Sequence, residues 1–217
     1  METNPGFQFV TASYVIRINN QKATTLNELR RGLDQASDDS IFFHTFQSLG
    51  RNHFLTEGFS SDLAQWVLIG LNRPRLAERL GGLDVRDYLS LAELRGDVRC
   101  ILNEYCEAQP READISSFEP FHFCECSEVT APLGPEAHTL AEFREGLEGL
   151  SSATIYYHFL ISRLRLQLKT NDFSYWLESV MDRPDLARRI NRIDIYTNTL
   201  DSARDEMVRI VRAGERR

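Results

Sequence analysis

Two short stretches with one pattern constrain this chain more than any other feature. Ile41-Phe42-Phe43-His44 and Ile155-Tyr156-Tyr157-His158 each place two rings between an Ile and a His. Their surroundings match as well. Phe7-Gln8-Phe9 is answered by Phe121-His122-Phe123, Thr25-Leu26-Asn27-Glu28 by Thr139-Leu140-Ala141-Glu142, and Gly32 by Gly146. Asp62 and Trp66 return as Asp172 and Trp176, and Arg73-Pro74 as Arg183-Pro184. Caps, glycines and prolines repeating in register predict a tandem duplication. The first copy spans residues 1–106 and the second 118–217. Between them, residues 107–117 lack an apolar rhythm, carry Pro110 and read as a linker.

Within each copy the local signals are mainly helical. Thr25 and Glu28, Ser90 and Glu93, and Thr139 and Glu142 have the spacing of capping boxes, in which hydroxyl and carboxylate satisfy free amides at a helix start. Leu26, Leu29 and Leu33 follow at the interval that lines one helix face. Ser37 caps the helix that carries His44, a further helix starts near Asp62, and Pro74 suits the first turn of another. Phe7 to Ile18 is rich in aromatic and β-branched residues and reads as a short extended segment. Residues 163–169 alternate as a strand would, yet Leu160, Leu164 and Leu168 share a helical face, and a helix is the expectation. The fold class is therefore mainly α: a duplicated unit of about five helices (a count from the cap and stripe signals), each copy preceded by a short strand.

Charge and composition narrow the function classes. A net charge of −7 over 217 residues argues against nucleic-acid binding, which needs a cationic surface to displace counterions. The residues from Met1 to Pro5 show no basic stretch leading into an apolar run, so no export signal is expected. The apolar run Trp66–Leu71 is too short for a span of about 20 residues, so no membrane insertion is expected. Four cysteines without an export signal fit reduced thiols and a cytoplasmic location.

The order Phe-x-Phe, Leu-x-Glu, Ile-ring-ring-His, Asp-x-x-x-Trp resembles a bacterial domain family of unknown function. Its members show a Ser-Ile-Tyr-Tyr-His-Thr core and an Asn-Asp-Phe-x-Tyr-Trp element. Ser40–Thr45 fits the first with Phe for Tyr, and Asn171–Trp176 fits the second; Phe159 departs from the Thr of the core. The resemblance covers nearly the whole chain and implies no substrate.

His44 with Asp62 and His158 with Asp172 are the candidate binding pairs, since an imidazole beside a carboxylate can relay a proton or hold an anion. A half-buried His that locks two helices is the plainer reading, because no nucleophile or second carboxylate accompanies it in both copies. Trp66 and Trp176 could wall a ligand pocket, although at helical spacing beside leucines such residues belong to the core. Tyr156 and Tyr157 are candidates in the second copy alone; Phe42 and Phe43 lack their hydroxyls. His122, Cys124 and Cys126 alternate along one segment, and Cys100 and Cys106 precede the linker. Their spacing is not that of a zinc site, so neither a metal nor another cofactor is expected. Phosphate-binding loops, dinucleotide turns and nucleophile elbows are absent from the sequence. The residues thus point to a non-enzymatic interaction or adaptor module that docks a protein partner, or itself, through its duplicated scaffold. The competing expectation is a small-molecule-binding protein or enzyme that uses His44 or His158 with the nearby Asp.

Overall fold

Phe7, Phe9 and the β-branched residues after them lead into β1 (Val10–Ala23), and Phe121 and Phe123 begin β2 (Phe121–Pro132), in a computed structural model that describes residues 5–52, 59–195 and 197–216. The two strands pair with each other as a two-stranded sheet. Tyr14 meets Glu128 and Arg17 meets Glu125, so the partners run antiparallel. The extended segment expected to end near Ile18 continues to Ala23, through Asn19, Asn20 and Gln21. Those residues have low strand propensity, and cross-strand pairing carries them.

The chain divides into two compact units, one of Tyr14–Glu128 and one of Met1–Ser13 with Val129–Arg217. These limits differ from the repeat boundaries expected at 1–106 and 118–217. Phe7 and Phe9 fall with residues 129–217, while Phe121 and Phe123 fall with residues 14–128. Residues 107–117, read as a linker, hold the short helix Pro110–Ala113 and bury Ala113 at 1% exposure. Ser117 N–H also donates to the Thr24 carbonyl at 2.7 Å, so this stretch is packed structure.

In the unit Tyr14–Glu128, α1 is Leu26–Gln35, α2 is Asp38–Phe42 and α3 is Ser48–Asn52. They are followed by α4 (Asp62–Ile69), α5 (Pro74–Gly81), α6 (Leu91–Ala108) and α7 (Pro110–Ala113). In the other unit come α8 (Leu140–Glu148), α9 (Ser152–Tyr156), α10 (Ser162–Leu166), α11 (Asp172–Ser179), α12 (Pro184–Asn191) and α13 (Leu200–Glu215). Thr25, Ser37, Ser90, Thr139, Ser151 and Thr199 each cap a helix by accepting the backbone N–H three residues on. Such caps are worth about 1 kcal/mol each, and they set where every one of those helices begins. The apolar stripes are buried as their spacing predicts: Leu26, Leu29 and Leu33 in α1, and Ala203, Met207 and Ile210 in α13. Mainly α is the correct class. No helix among the described residues is long and apolar enough to cross a membrane.

Two departures concern the helices that bear the histidines. The helical spacing predicted an ordinary α-helix through His44, but Phe43–Gln47 is a π-turn between α2 and α3, and Tyr157–Ile161 is another between α9 and α10. In each, the amide of the next serine reaches back five residues, Ser48 to Phe43 and Ser162 to Tyr157. The same serines cap a loosened carbonyl with their hydroxyls: Ser48 donates to His44 O at 2.9 Å and Ser162 to His158 O at 2.6 Å. Single π-turns of this kind concentrate at functional positions. In the ambiguous stretch 163–169, helix holds as far as Leu166, and Gln167 then turns left-handed at φ 53°.

Candidate functional site

His44 sits in its π-turn with 5% of its surface exposed, and His158 with 2%. Each ring is fixed at both nitrogens. His44 Nδ1 lies 3.1 Å from Asp62 Oδ2, and its Nε2 accepts the backbone N–H of Cys124 at 2.9 Å. His158 Nδ1 lies 2.8 Å from Asp172 Oδ2, and its Nε2 accepts the backbone N–H of Val10 at 2.8 Å. An amide N–H can only donate, so Nε2 supplies the lone pair and Nδ1 carries the proton that the carboxylate receives. The tautomer follows from these bonds.

An arginine completes each group. Arg51 donates to Asp62 Oδ2 at 2.9 Å and lies 4.3 Å above the Phe43 ring, a cation–π distance. Arg165 binds the other oxygen of Asp172. Asp172 is the more enclosed carboxylate, with 8% of its side chain exposed against 25% for Asp62. It also receives support from Ser162, whose Oγ accepts the Asp172 N–H at 3.2 Å.

The tryptophans take a related part. Trp66 Nε1–H donates to Glu119 O at 2.8 Å, and Trp176 Nε1–H donates to Pro5 O at 3.1 Å. In each unit, then, one Trp and one His hold the backbone on either side of a Phe-x-Phe pair. The ring of Phe121 lies 4.6 Å from that of His44, and the ring of Phe7 lies 5.3 Å from that of His158. The second ring of each pair presses on a glycine. A Cβ on Gly32 would stand 2.3 Å from Phe123, and one on Gly146 would stand 2.1 Å from Phe9. Only glycine permits that approach.

A cleft opens beside each group. The one in Tyr14–Glu128 encloses about 660 Å³ and is bordered by His44, Asp62, Arg51, Trp66, Phe121 and Cys124. On its rim, Phe118 is 99% exposed and Ile69 71%. The cleft in the other unit encloses about 360 Å³ and is bordered by His158, Asp172, Arg165, Tyr157 and Trp176. Tyr157 thus reaches its cleft, whereas Tyr156 is buried and lies outside that lining.

Of the eight candidate residues, all but Tyr156 converge on these two groups. Sequence reasoning missed the arginines. Arg165 pairs with Asp172, and its neighbour Arg163 is buried. The signal was available, since Arg51 follows His44 at the same interval as Arg165 follows His158. The backbone partners Val10 and Cys124 carried no signal, because any residue except proline offers the same N–H. The cysteines and His122 do not gather. Cys100 is exposed, Cys106 and Cys126 are buried, and no group of three metal-ligating side chains exists among the described residues.

A model for a family of unknown function (DUF5752) matches residues 4–212. The solved structure of OrfY from Thermoproteus tenax is similar, with a TM-score of 0.82 and 25% sequence identity, covering 100% of this chain and 99% of that one. No curated protein matches the sequence.

Proposed function

We propose, from the premise that the chain belongs to the DUF5752 family of unknown function, that it is a non-enzymatic module that docks a protein partner in the cytoplasm. One observation carries this reading: both nitrogens of His44 and of His158 are already bonded, each to a carboxylate and to a strand amide. A general base needs a nitrogen within reach of a substrate proton, and neither ring presents one. The histidines instead brace helix against strand. What the unit Tyr14–Glu128 offers to solvent is an apolar rim, Phe118 and Ile69, over a cleft walled by Trp66 and Phe121. Large exposed aromatic and aliphatic side chains beside a concavity are the usual anchors of a protein interface.

In the same reading residues 1–106 and 118–217 descend from a tandem duplication. The support is the matching set of π-turn, His, Asp, Arg, Trp and Gly in each. Affinity purification of the wild type beside Phe118→Asp tests the proposal. A protein retained by the wild type and lost with the variant is the expected result. A chain that retains nothing reproducibly, or a partner indifferent to Phe118 and Ile69, sinks it.

A small-molecule reading has one observation in its favour. A volume of about 660 Å³ lies within the range of ligand pockets. Saturable binding of a metabolite, abolished by Trp66→Ala in a folded protein, would move the assignment there.

A further inference from the structure

A third cleft lies in the unit of Met1–Ser13 with Val129–Arg217 and differs in kind from those beside the histidines. It encloses about 580 Å³, with the buried Phe9, Ala137 and Leu150 as its apolar floor and Gly146 and Gly149 at the end of α8 along one edge. Among the described residues that line it, each ionisable side chain is a carboxylate: Glu136, Glu142 and Glu145. His138 lies 3.9 Å from Glu136 and Arg144 lies 3.7 Å from Glu145, and both cations stand outside the lining. Glu142 is engaged with the amides of His138 and Thr139. Glu136 and Glu145, with 50% and 69% of their side chains exposed, are the carboxylates that a ligand can meet. The last turn of α8 holds no basic residue, and a helix C-terminus favours cations.

The unit Tyr14–Glu128 shows what such a place holds. Gln21, Gly32 and Gln35 precede Pro135, Gly146 and Gly149 by the interval that separates His44 from His158. There the Gln21 amide lies over Gly32, and its Nε2–H donates to Gly32 O at 3.3 Å and to Gln35 Oε1 at 3.4 Å. At the corresponding places Pro135 has no side-chain donor and Gly149 has no side chain. A Cβ on Gly149 would meet nothing nearer than Gly146 O at 3.8 Å. The N–H donor that one unit supplies from its own strand is left, in the other, to a group from outside. Carboxylates on the rim call for a donor with positive charge, and an apolar floor calls for an aliphatic stem. Arginine and lysine side chains combine the two. We propose that this cleft receives an arginine or lysine side chain of a protein partner, on a short segment whose neighbouring apolar residue rests against Leu133 and Leu150. The volume lies in the range of ligand pockets. This surface lies outside Tyr14–Glu128, so the inference stands whether or not the cleft beside Phe118 docks a partner.

Panning a random peptide library against the wild type and against Pro135→Gln/Gly149→Gln tests the proposal. The double variant restores the two glutamines of the other unit and closes the cleft. Position 149 has a φ of −92°, which any residue adopts, so the fold should survive. The expected result is enrichment, on the wild type alone, of peptides that carry Arg or Lys beside Leu, Ile or Phe. The best of them, made synthetically, binds the wild type saturably. Exchanging its Arg for citrulline or its Lys for norleucine, or Glu136→Gln/Glu145→Gln in the protein, weakens binding about tenfold, the scale of two part-exposed ion pairs. Equal enrichment on the double variant, enriched peptides without a basic residue, or no enrichment at all overturns the proposal. Spermine that binds as tightly as the peptide also overturns it, by assigning the cleft to a free polyamine. Peptide binding lost in Phe118→Asp and kept in Glu136→Gln/Glu145→Gln belongs to the other cleft and overturns it as well. Should circular dichroism show Pro135→Gln/Gly149→Gln unfolded, Glu136→Gln/Glu145→Gln takes its place in the panning with the same two outcomes.

Discussion

Val10 donates its backbone N–H to Nε2 of His158 at 2.8 Å, across 148 positions of sequence. The ring serves as a backbone acceptor for an extended segment, and its other nitrogen is held at 2.8 Å from Asp172. Cys124 and His44 reproduce the bond at 2.9 Å in the unit Tyr14–Glu128. The functional reading follows from this use of the imidazole.

Removing the ring should therefore cost stability. In His158→Ala the Val10 amide loses its acceptor and Asp172 Oδ2 its donor, while Asp172 Oδ1 keeps Arg165, and an unsatisfied donor left away from water costs roughly 1–3 kcal/mol. His44→Ala should cost less, because Asp62 has 25% of its side chain exposed and water can replace the ring, against 8% for Asp172. Urea unfolding of the two variants checks the order. Equal losses, or a neutral His158→Ala, would contradict the assignment.

The glycine-to-ring contacts give a second expectation. Gly146→Ala and Gly32→Ala each force a Cβ into Phe9 or Phe123, and overpacking of this kind costs about 1–3 kcal/mol. Phe9→Leu should rescue Gly146→Ala in part while leaving Gly32→Ala unaffected. Double-mutant cycles read that coupling. A strictly additive pair of Phe9→Leu and Gly146→Ala would show that the ring yields without strain.

Acid should weaken the fold through its caps. The Glu28 carboxylate accepts the Thr24 N–H at 2.7 Å, and Glu142 accepts the His138 N–H at 2.8 Å, and these backbone bonds hold both below the usual carboxylate range. A carboxylate whose value is lower in the folded state adds stability above the unfolded value, about 4.3 for Glu. That stability is lost as pH falls through the folded value. Unfolding midpoints should thus drop on acidification below that range, and Glu28→Gln/Glu142→Gln should flatten the drop. An acid limb of unchanged slope in the double variant would count against the caps as its origin.

Two of the thiols, Cys100 and Cys126, should react in a set order. Cys100 is exposed, but the Glu104 carboxylate accepts its S–H and holds its pKa above the ordinary thiol value. Cys126 is buried, which pushes its thiol up to about 11. The thiolate is the reactive form. Alkylation of the native protein at neutral pH should label Cys100 first and slowly, and Cys126 only on unfolding. Glu104→Gln should speed labelling of Cys100, and peptide mapping would reveal any other order.

The helices were legible because their signals are local. Ser37 and Thr139 mark helix starts through hydroxyls that reach amides three residues away, and the leucines of α1 declare their buried face by spacing alone. His44 with Asp62 and His158 with Asp172 could be paired because each His is followed closely in sequence by a helix that begins with its Asp. The π-turns were not legible. They depend on Ser48 and Ser162 capping carbonyls that a regular helix would have kept for itself.

The sequence by itself determined where most helices begin, their caps and their apolar faces, because those follow from groups within a few turns of one another. Only the tertiary structure decided which Phe-x-Phe segment lies under which histidine. Phe7 and Phe9 lie with residues 129–217, and Phe121 and Phe123 with residues 14–128. The physical reason is that the deciding bonds run from a backbone N–H, which every non-proline residue has, to a ring more than seventy positions away. A motif can specify the acceptor, but the donor is chosen by the fold.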